Sequence, residues 1–255
     1  MNKKRVLYIT QEMDPFLDME GIGTLIQKLP SFAQENGMEI RILMPRFGTI
    51  NERRHRLHEV VRLSGIIKVA SLPGSRIQVY FLDNDEFFKR KYVFEDESGK
   101  PFEDNQDRMI FFCKGALETV KKFGWPPDVI HCHGWMTSLI PFYLKTVYKN
   151  DPVFKQSKVI FSLYDKSQES SFTDSFFKKA AINNLKMDQL SAFKNGTGIT
   201  LQKGAIQFAD GIIQGAKELP EPLLQALEAS KIPFIQTAEE NFLPDYIDFY
   251  KTILS

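Results

Sequence analysis

The fold that we predict is decided by the stretch PDVIHCHGWMTSLIPFYLK, residues 127–145. Its β-branched pair Val129 and Ile130 predicts a short, buried strand of a parallel sheet. The polar residues 131–134 that follow predict the loop at the carboxyl end of that strand, and Thr137 is a candidate N-cap for the next helix. Because ligands of open α/β sheets bind outside the carboxyl ends of the strands, we expect the functional site at this loop.

The composition predicts a folded protein with no strong charge. Of the 255 residues, 43% are hydrophobic, which supports a folded core. The 33 Lys and Arg nearly balance the 32 Asp and Glu, so no net charge attracts nucleic acid or an anionic membrane. Cys113 and Cys132 lack metal-site or redox spacing and are interpreted as free thiols of a cytoplasmic protein. No signal-peptide core or membrane-length apolar run is present. We therefore expect a cytoplasmic protein without cofactor or metal, which binds neither nucleic acid nor membranes.

Strands and helices are predicted to alternate on both sides of the deciding stretch. Predicted strands cover residues 5–10, 39–44, 159–163, 211–214 and 232–236, and predicted helices cover residues 24–36, 107–123, 172–190, 199–208 and 243–254. Residues 60–82 instead alternate around a Pro-Gly-Ser turn, as antiparallel hairpins do. This order predicts a Rossmann-like, doubly wound α/β fold with a mostly parallel sheet and a β-hairpin insertion, in a single domain of residues 1–255.

Six further segments match, in order, a pattern known from one enzyme family. They are RVLYITQEMDPF (5–16), ILMPRFGTI (42–50), VYFLDNDEFF (79–88), FEDNQDRMIFFCKGALE (102–118), KVIFSLYD (158–165) and GAIQFADGII (204–213). With the deciding stretch, which is similar to DVIHAHDWH, they resemble the N-terminal lobe of bacterial glycogen synthases and plant starch synthases (glycosyltransferase family 5). The resemblance implies one lobe of the two-lobed GT-B fold and glucose transfer from a nucleotide-sugar to an α-glucan. The matches end where that lobe ends, so we expect the second lobe to be absent.

The glycine loop departs from the family where the substrate is expected. The family's KTGGLGD corresponds here to DMEGIGT, residues 18–24, which keeps Gly21 and Gly23. Asp18 replaces the Lys that faces the donor in the family, and Glu20 replaces a Gly. Two carboxylates where phosphates are expected would each cost on the order of 1 kcal/mol or more by like-charge repulsion.

Other strand ends depart from the family as well. The family's loop Asp corresponds to Gly134 and its second loop His to Met136, while the family's IHN ends here in Tyr164 and Asp165. The family's TVS is replaced by residues 214–216, Gln-Gly-Ala. A retained framework with altered strand ends indicates a chain that kept its fold after losing its catalytic role.

Three residues of the deciding stretch have both a structural and a functional interpretation. His131 and His133 point the same way along a strand, but no third ligand has useful spacing for a metal, so we favour strand-end hydrogen bonding. His133 also has a sugar hydroxyl as an alternative partner. Trp135 is interpreted as packing beneath the loop, with sugar stacking as the alternative. The basic residues between positions 46 and 62 are interpreted as a solvated face, with phosphate or an acidic partner as the alternative.

The leading hypothesis is an α-glucan-binding or partner-binding pseudoenzyme that uses the surface a second lobe would cover. That surface is expected to be partly apolar, which favours a homodimer. We predict no catalytic residue and no metal ligand. The candidate substrate-binding residues are Asp18, Gly21, Gly23, His133, Trp135, Met136, Tyr164 and Asp165.

Two alternatives remain open. One is an active glycosyltransferase that binds ADP-glucose or UDP-glucose, with its site completed by a separate C-terminal lobe or a second subunit, or rearranged around His133, Asp165 and Asp18. The other is a small-molecule-binding domain unrelated to sugar transfer. Binding of glucan alone, of nucleotide-sugar, or of neither distinguishes the three.

Overall fold

The structure, a computed structural model, describes residues 3–17, 19, 21–62, 65–165, 172–194, 198–237 and 242–255. Its strands are β1 Arg5–Thr10, β2 Glu39–Pro45, β3 His58–Arg62, β4 Ile66–Ser71, β5 Gln78–Asp83, β6 Val129–His133, β7 Lys158–Leu163, β8 Gly211–Gln214 and β9 Phe234–Gln236. Its α-helices are α1 Ile22–Glu35, α2 Glu52–His55, α3 Asp85–Phe88, α4 Asn105–Phe123, α5 Ile140–Lys145, α6 Asp174–Ala180, α7 Gly198–Phe208, α8 Glu221–Ser230 and α9 Leu243–Leu254. Short 3-10 helices cover Trp135–Thr137 and Met187–Phe193.

The described strands form a nine-stranded sheet in the order β3-β4-β5-β2-β1-β6-β7-β8-β9. Neighbours from β5 to β9 along this order pair in parallel, whereas β3, β4 and β5 pair antiparallel. The predicted doubly wound sheet with a hairpin insertion is therefore confirmed. The chain leaves β1 toward β2 on one side and returns to β6 on the other, so strand order reverses between β1 and β6. Ligands of such sheets bind at the carboxyl ends beside this reversal.

The central strands are buried along nearly their whole length. In β1 only Arg5 is partly exposed, and every residue of β6 is buried. Strands covered on both faces are expected to carry such continuous apolar runs rather than an alternation. Among the described residues, no helix is both long and apolar enough to cross a membrane.

Strand β6 is longer than predicted, because the polar residues after Ile130 continue the strand rather than forming a loop. His133 pairs in register with Thr10 of β1 and with Ser162 of β7. Each imidazole has a buried hydrogen-bond partner on another element, and among the ring nitrogens only Nε2 of His133 has no described partner. The chain turns only at Gly134, with φ 84° and ψ 159°.

The predicted N-cap role of Thr137 is wrong. Its hydroxyl donates to the carbonyl of Gly134 at 2.8 Å, inside the 3-10 turn that follows β6. Helix α5 begins only at Ile140, with a proline in its first turn, where the missing N–H costs no hydrogen bond. The side chain of Thr137 thus stabilises the turn and not the helix.

The helix predicted over residues 172–190 is also wrong in extent. Helix α6 ends at Ala180, and a 3-10 helix begins at Met187. Between them Asn183 and Asn184 have φ values of 49° and 70°. Asparagine adopts this left-handed conformation more readily than most residues, and it interrupts a right-handed helix.

Candidate functional site

A cavity of about 540 Å³ opens at the carboxyl edge of the sheet. Its walls come from the start of α1, the end of β7, the segments after β8 and β9, and the start of α9. Among its lining residues are Gly21, Lys28, Tyr164, Lys217 and Tyr246. The position agrees with the expected one, since the parallel strands end here.

Two of the candidate residues belong to the glycine loop at the start of α1. Gly21 lines the cavity and precedes the helix with a φ of 81°, a conformation that favours glycine. Gly23 is buried inside α1, and its carbonyl accepts the backbone N–H of Asp14 at 3.2 Å. Gly21 therefore shapes the cavity and Gly23 anchors the preceding turn. The candidate Asp18 lies outside the described residues, as does Glu20.

His131 is part of a buried network with residues of other elements. Its Nε2 lies 2.8 Å from the Ser162 hydroxyl and its Nδ1 lies 2.6 Å from the Tyr250 hydroxyl. Because Tyr250 donates to Tyr8, its oxygen accepts from Nδ1–H of His131, and Nε2 accepts from Ser162. Burial lowers the pKa of His131 well below its usual value, so the ring is neutral. The described residues contain no group of three His, Cys, Asp or Glu that could hold a metal.

His133 is connected to the cavity through one tyrosine. Its Nδ1 lies 2.9 Å from the hydroxyl of Tyr164, which lines the cavity, while its Nε2 forms no hydrogen bond with a described residue. Burial lowers the pKa of His133 to about 3. The ring centroids of His131 and His133 lie 3.9 Å apart. Because both rings are neutral, no repulsion between buried like charges arises at this distance.

Tyr164 is held in place by its main chain and by the residue beneath its ring. Its backbone N–H donates to the side-chain oxygen of Gln202 at 3.2 Å, and its carbonyl accepts from the same amide at 3.1 Å. A Cβ at Gly215 would lie 2.7 Å from the Tyr164 ring, so glycine is needed there. Burial raises the pKa of the Tyr164 hydroxyl well above its usual value, which keeps it protonated.

The space around the turn after β6 is occupied by neighbouring side chains. A Cβ at Gly134 would overlap the side-chain amide of Gln11, whose oxygen accepts the backbone N–H of Met136 at 3.3 Å. Met136 is fully buried, and Trp135 is 5% exposed with its ring 5.1 Å from that of Phe94. The side chains of Trp135 and Met136 therefore pack in the interior and do not line the cavity.

Asp165 lies beside the cavity, and the residues of the predicted basic cluster do not line it. Asp165 is exposed and lines a neighbouring, shallower depression together with Lys217. Arg46 of the basic cluster is buried and forms ion pairs with Glu52 at 3.0 Å and Asp83 at 3.2 Å. That part of the cluster has a structural role, whereas its residues on α2 are largely exposed.

Besides Thr24, which ends the glycine loop segment, four polar cavity residues were not singled out from the sequence. They are Lys28 on α1, Lys217 after β8, Thr237 after β9 and Tyr246 on α9. The Thr237 hydroxyl lies 3.3 Å from that of Tyr246 and donates to the Gln214 carbonyl at 3.0 Å. No local motif marks these residues, and the helical periodicity of α9 was the signal that Tyr246 is buried.

Solved structures with a similar fold define the class of protein. The catalytic domain of starch synthase IV from Arabidopsis thaliana, bound to ADP and acarbose, matches with a TM-score of 0.76 at 20% identity, covering 93% of this chain and 52% of that one. A sucrose-phosphate synthase structure from Thermosynechococcus elongatus matches with a TM-score of 0.52 at 9% identity, and all of it is covered. At these identities the likeness shows the fold, which is that of one GT-B lobe.

Sequence relatives then define the family. The glycogen synthase of Chlorobium phaeobacteroides is 40% identical over 188 residues, which cover 69% of this chain and 38% of that protein. The glycogen synthase of Chlorobaculum parvum is 35% identical over 219 residues, covering 81% and 44%. The family model of the starch synthase catalytic domain matches residues 5–219, and the chain belongs to this glycosyltransferase family. It spans less than half the length of the relatives named here.

Proposed function

We propose that this chain is a transfer-impaired member of the family that binds α-glucan, or a protein partner, at the carboxyl edge of its sheet. We also propose that residues 1–255 form a single domain. The observation that carries the proposal is the turn at Gly134, where the resemblance expects an Asp. The space of a side chain at this position is filled by Gln11, and the backbone conformation is one that favours glycine.

Burial of His133 and Tyr164 disfavours proton transfer at the carboxyl edge of the sheet. His133 is neutral at pH 7 and too weak a base, because burial lowers its pKa to about 3. Its Tyr164 partner stays protonated, because burial raises the pKa of that hydroxyl. The protonated phenol of Tyr164, which lines the cavity, can hydrogen-bond a sugar hydroxyl without exchanging a proton with it.

Sugar binding is supported by the walls of the cavity. Tyr164 and Phe242 contribute aromatic rings, and Thr237 contributes a hydroxyl. The cavity volume of about 540 Å³ is within the usual range of 300–1,000 Å³ for small-molecule sites. Aromatic rings beside a few polar groups suit the apolar faces and the hydroxyls of a glucose unit.

The test is a calorimetric titration of the 255-residue chain with maltoheptaose and, separately, with ADP-glucose and UDP-glucose, followed by an assay of glucose incorporation. We expect maltoheptaose to bind and glucose incorporation to stay at background. Phe242→Ala should weaken maltoheptaose binding, because Phe242 lines the cavity. The matched control is Phe234→Ala on the edge strand β9, whose ring is 43% exposed and does not line the cavity. Turnover of either nucleotide-sugar would contradict the proposal.

An active transferase is the alternative, and the starch synthase IV match favours it. That protein is bound to ADP and acarbose, and this chain covers 52% of it, so a second lobe would be needed to complete the site. Tight ADP-glucose binding by the chain, or incorporation that appears when a C-terminal lobe of a relative is added, would support this alternative.

A further inference from the structure

The turn at helix α2 carries arginines that differ from most other arginines of the chain. Of the ten arginines, six contact a carboxylate or an aromatic ring of a described residue. For the other four, the described part of the chain offers neither kind of partner, and all four are exposed: Arg53, Arg54, Arg56 and Arg76. Three of them lie on α2 and at its C-cap. We call Arg53, Arg54 and Arg56 the arginine turn.

The place of this turn is fixed by ion pairs beneath it. Glu52, the first residue of α2, lies 3.0 Å from Arg46 and 2.7 Å from Lys68 of β4. Lys68 is in turn the register partner of Glu59 on β3, so α2 lies beside these two strands. Glu59 pairs with Arg62 at 2.7 Å. Because Glu52 and Glu59 are both engaged elsewhere, they do not neutralise the arginine turn.

Arg56 has a backbone conformation that disfavours any side chain. Its φ of 55° and ψ of 41° are left-handed, and the same position at the end of α4 is taken by Gly124. Strain of this kind persists only where the surrounding structure enforces it. Glycine at position 56 would therefore remove the charge without adding strain, which separates the charge from the stability of the fold.

Strand β3, which follows the arginine turn, is an edge strand with an exposed apolar residue. It is outermost in the described sheet and pairs with β4 alone. Val60, at 46%, is the most exposed large apolar side chain among the residues that the structure describes. It has no register partner on β4, because the pairing shifts between Glu59 and Val61. The free side of an edge strand presents backbone groups that can pair with an added strand.

We propose that the arginine turn and β3 bind an acidic, extended peptide segment of another protein, which pairs with the free side of β3. Its carboxylates meet the guanidinium groups of the arginine turn, and an apolar residue covers Val60. Main-chain pairing requires a polypeptide, so the edge strand favours a protein over a nucleic acid. A second copy of β3 is disfavoured, because two such edges bring like charges together. The inference is independent of sugar binding, since none of these residues lines the cavity.

The experiment is a titration of the full chain with a peptide of about ten alternating Glu and Thr residues, blocked at both ends. We expect binding that weakens as salt rises, because the arginines are exposed. Amide hydrogen exchange of residues 58–62 should slow in the complex, since strand addition pairs their backbone groups. A Glu-Pro peptide of equal length carries the same charge but lacks every second N–H, and it should bind more weakly.

The arginines are tested by Arg53→Gln, Arg54→Gln, Arg56→Gly and the triple variant. Each single change should weaken binding of the Glu-Thr peptide about three-fold, within the range of exposed ion pairs, and the triple variant about thirty-fold. Arg56→Gly should do so without lowering the melting temperature. The matched control is Arg76→Gln, since Arg76 is equally exposed but lies in the turn between β4 and β5. This variant should bind as the unchanged chain does.

Four results would overturn the inference. They are no binding of the Glu-Thr peptide, equal binding of the Glu-Pro peptide, a loss in Arg76→Gln equal to that of the arginine-turn variants, and tighter binding of oligothymidylate than of the Glu-Thr peptide. The second result would mean that charge alone attracts the peptide. The fourth would assign the arginine turn to the phosphates of a nucleic acid.

Discussion

The end of β6 and the cavity between α1 and α9 lie at the same edge of the sheet but differ in burial and in the partners of their side chains. At the end of β6, His131 and His133 are fully buried and hydrogen-bonded to side chains of other elements. At the cavity, Lys28 and Lys217 are exposed and have no described ion-pair partner. The two histidines of the family motif are thus part of the interior, whereas the two lysines that line the cavity belong to no motif. Resemblance at a strand end therefore does not establish a substrate contact.

The largest effect is expected for Gly134→Asp, which introduces the residue that the resemblance expects at the end of β6. We expect a loss of about 4 kcal/mol or more in the free energy of unfolding, because the change adds backbone strain, overlap with Gln11 and a buried carboxylate. Urea unfolding measures it. Gly74→Asp is the matched control, since Gly74 also has a positive φ, of 76°, but open space around its Cβ. An equal loss in both variants would show that backbone strain alone is responsible.

The buried histidine pair predicts acid sensitivity. Because burial lowers both pKa values, the unfolded chain binds protons below about pH 6.5 that the folded chain does not. Stability is therefore present above pH 6.5 and is lost as pH falls, with His133 contributing down to about pH 3. The expected slope is about 1.36 kcal/mol per pH unit for each histidine, or about 2.7 kcal/mol per pH unit for the pair.

Urea unfolding between pH 7.5 and pH 5 measures this slope. His133→Gln should reduce it by the share of one histidine. A slope that is the same in the unchanged chain and in His133→Gln would mean that His133 is protonated in the folded state.

A smaller effect is expected at the contact between α9 and the end of β6. Tyr250→Phe removes the hydroxyl that lies 2.6 Å from His131 Nδ1 and 3.2 Å from the Tyr8 hydroxyl. Leaving the buried Nδ1–H without a partner should cost about 2 kcal/mol of stability. Tyr246→Phe loses only a 3.3 Å contact with Thr237 and should cost less. Thermal unfolding compares the two variants. A larger loss of stability for Tyr246→Phe would show that the hydrogen bond between His131 and Tyr250 is not what stabilises the end of β6.

Much of the fold follows from local patterns. The bounds of α9, Leu243–Leu254, and of β8, Gly211–Gln214, agree with those predicted, and the hairpin insertion lies where residues 60–82 alternate. Apolar periodicity marks such elements because it depends only on neighbours along the chain. The helix predicted over residues 172–190 is wrong, because the left-handed backbone at Asn183 and Asn184 has no counterpart in apolar spacing.

The candidate site was predicted less completely than the fold. Of the candidate residues, Gly21 and Tyr164 line the cavity, while Trp135 and Met136 pack in the interior. Lys217 and the other missed residues are far apart in the sequence, and no spacing rule connects them.

The sequence by itself determined the parallel strands, their order along the chain and the edge of the sheet at which the candidate site lies, because those features follow from periodicity and from matches to one family. Only the tertiary structure decided that β6 continues through His131 and His133, since their partners Tyr250, Ser162 and Tyr164 come from other elements. A buried polar group is tolerated where a partner meets it, and which partners meet is fixed by the packing of distant segments. The same packing decided which charges face the cavity.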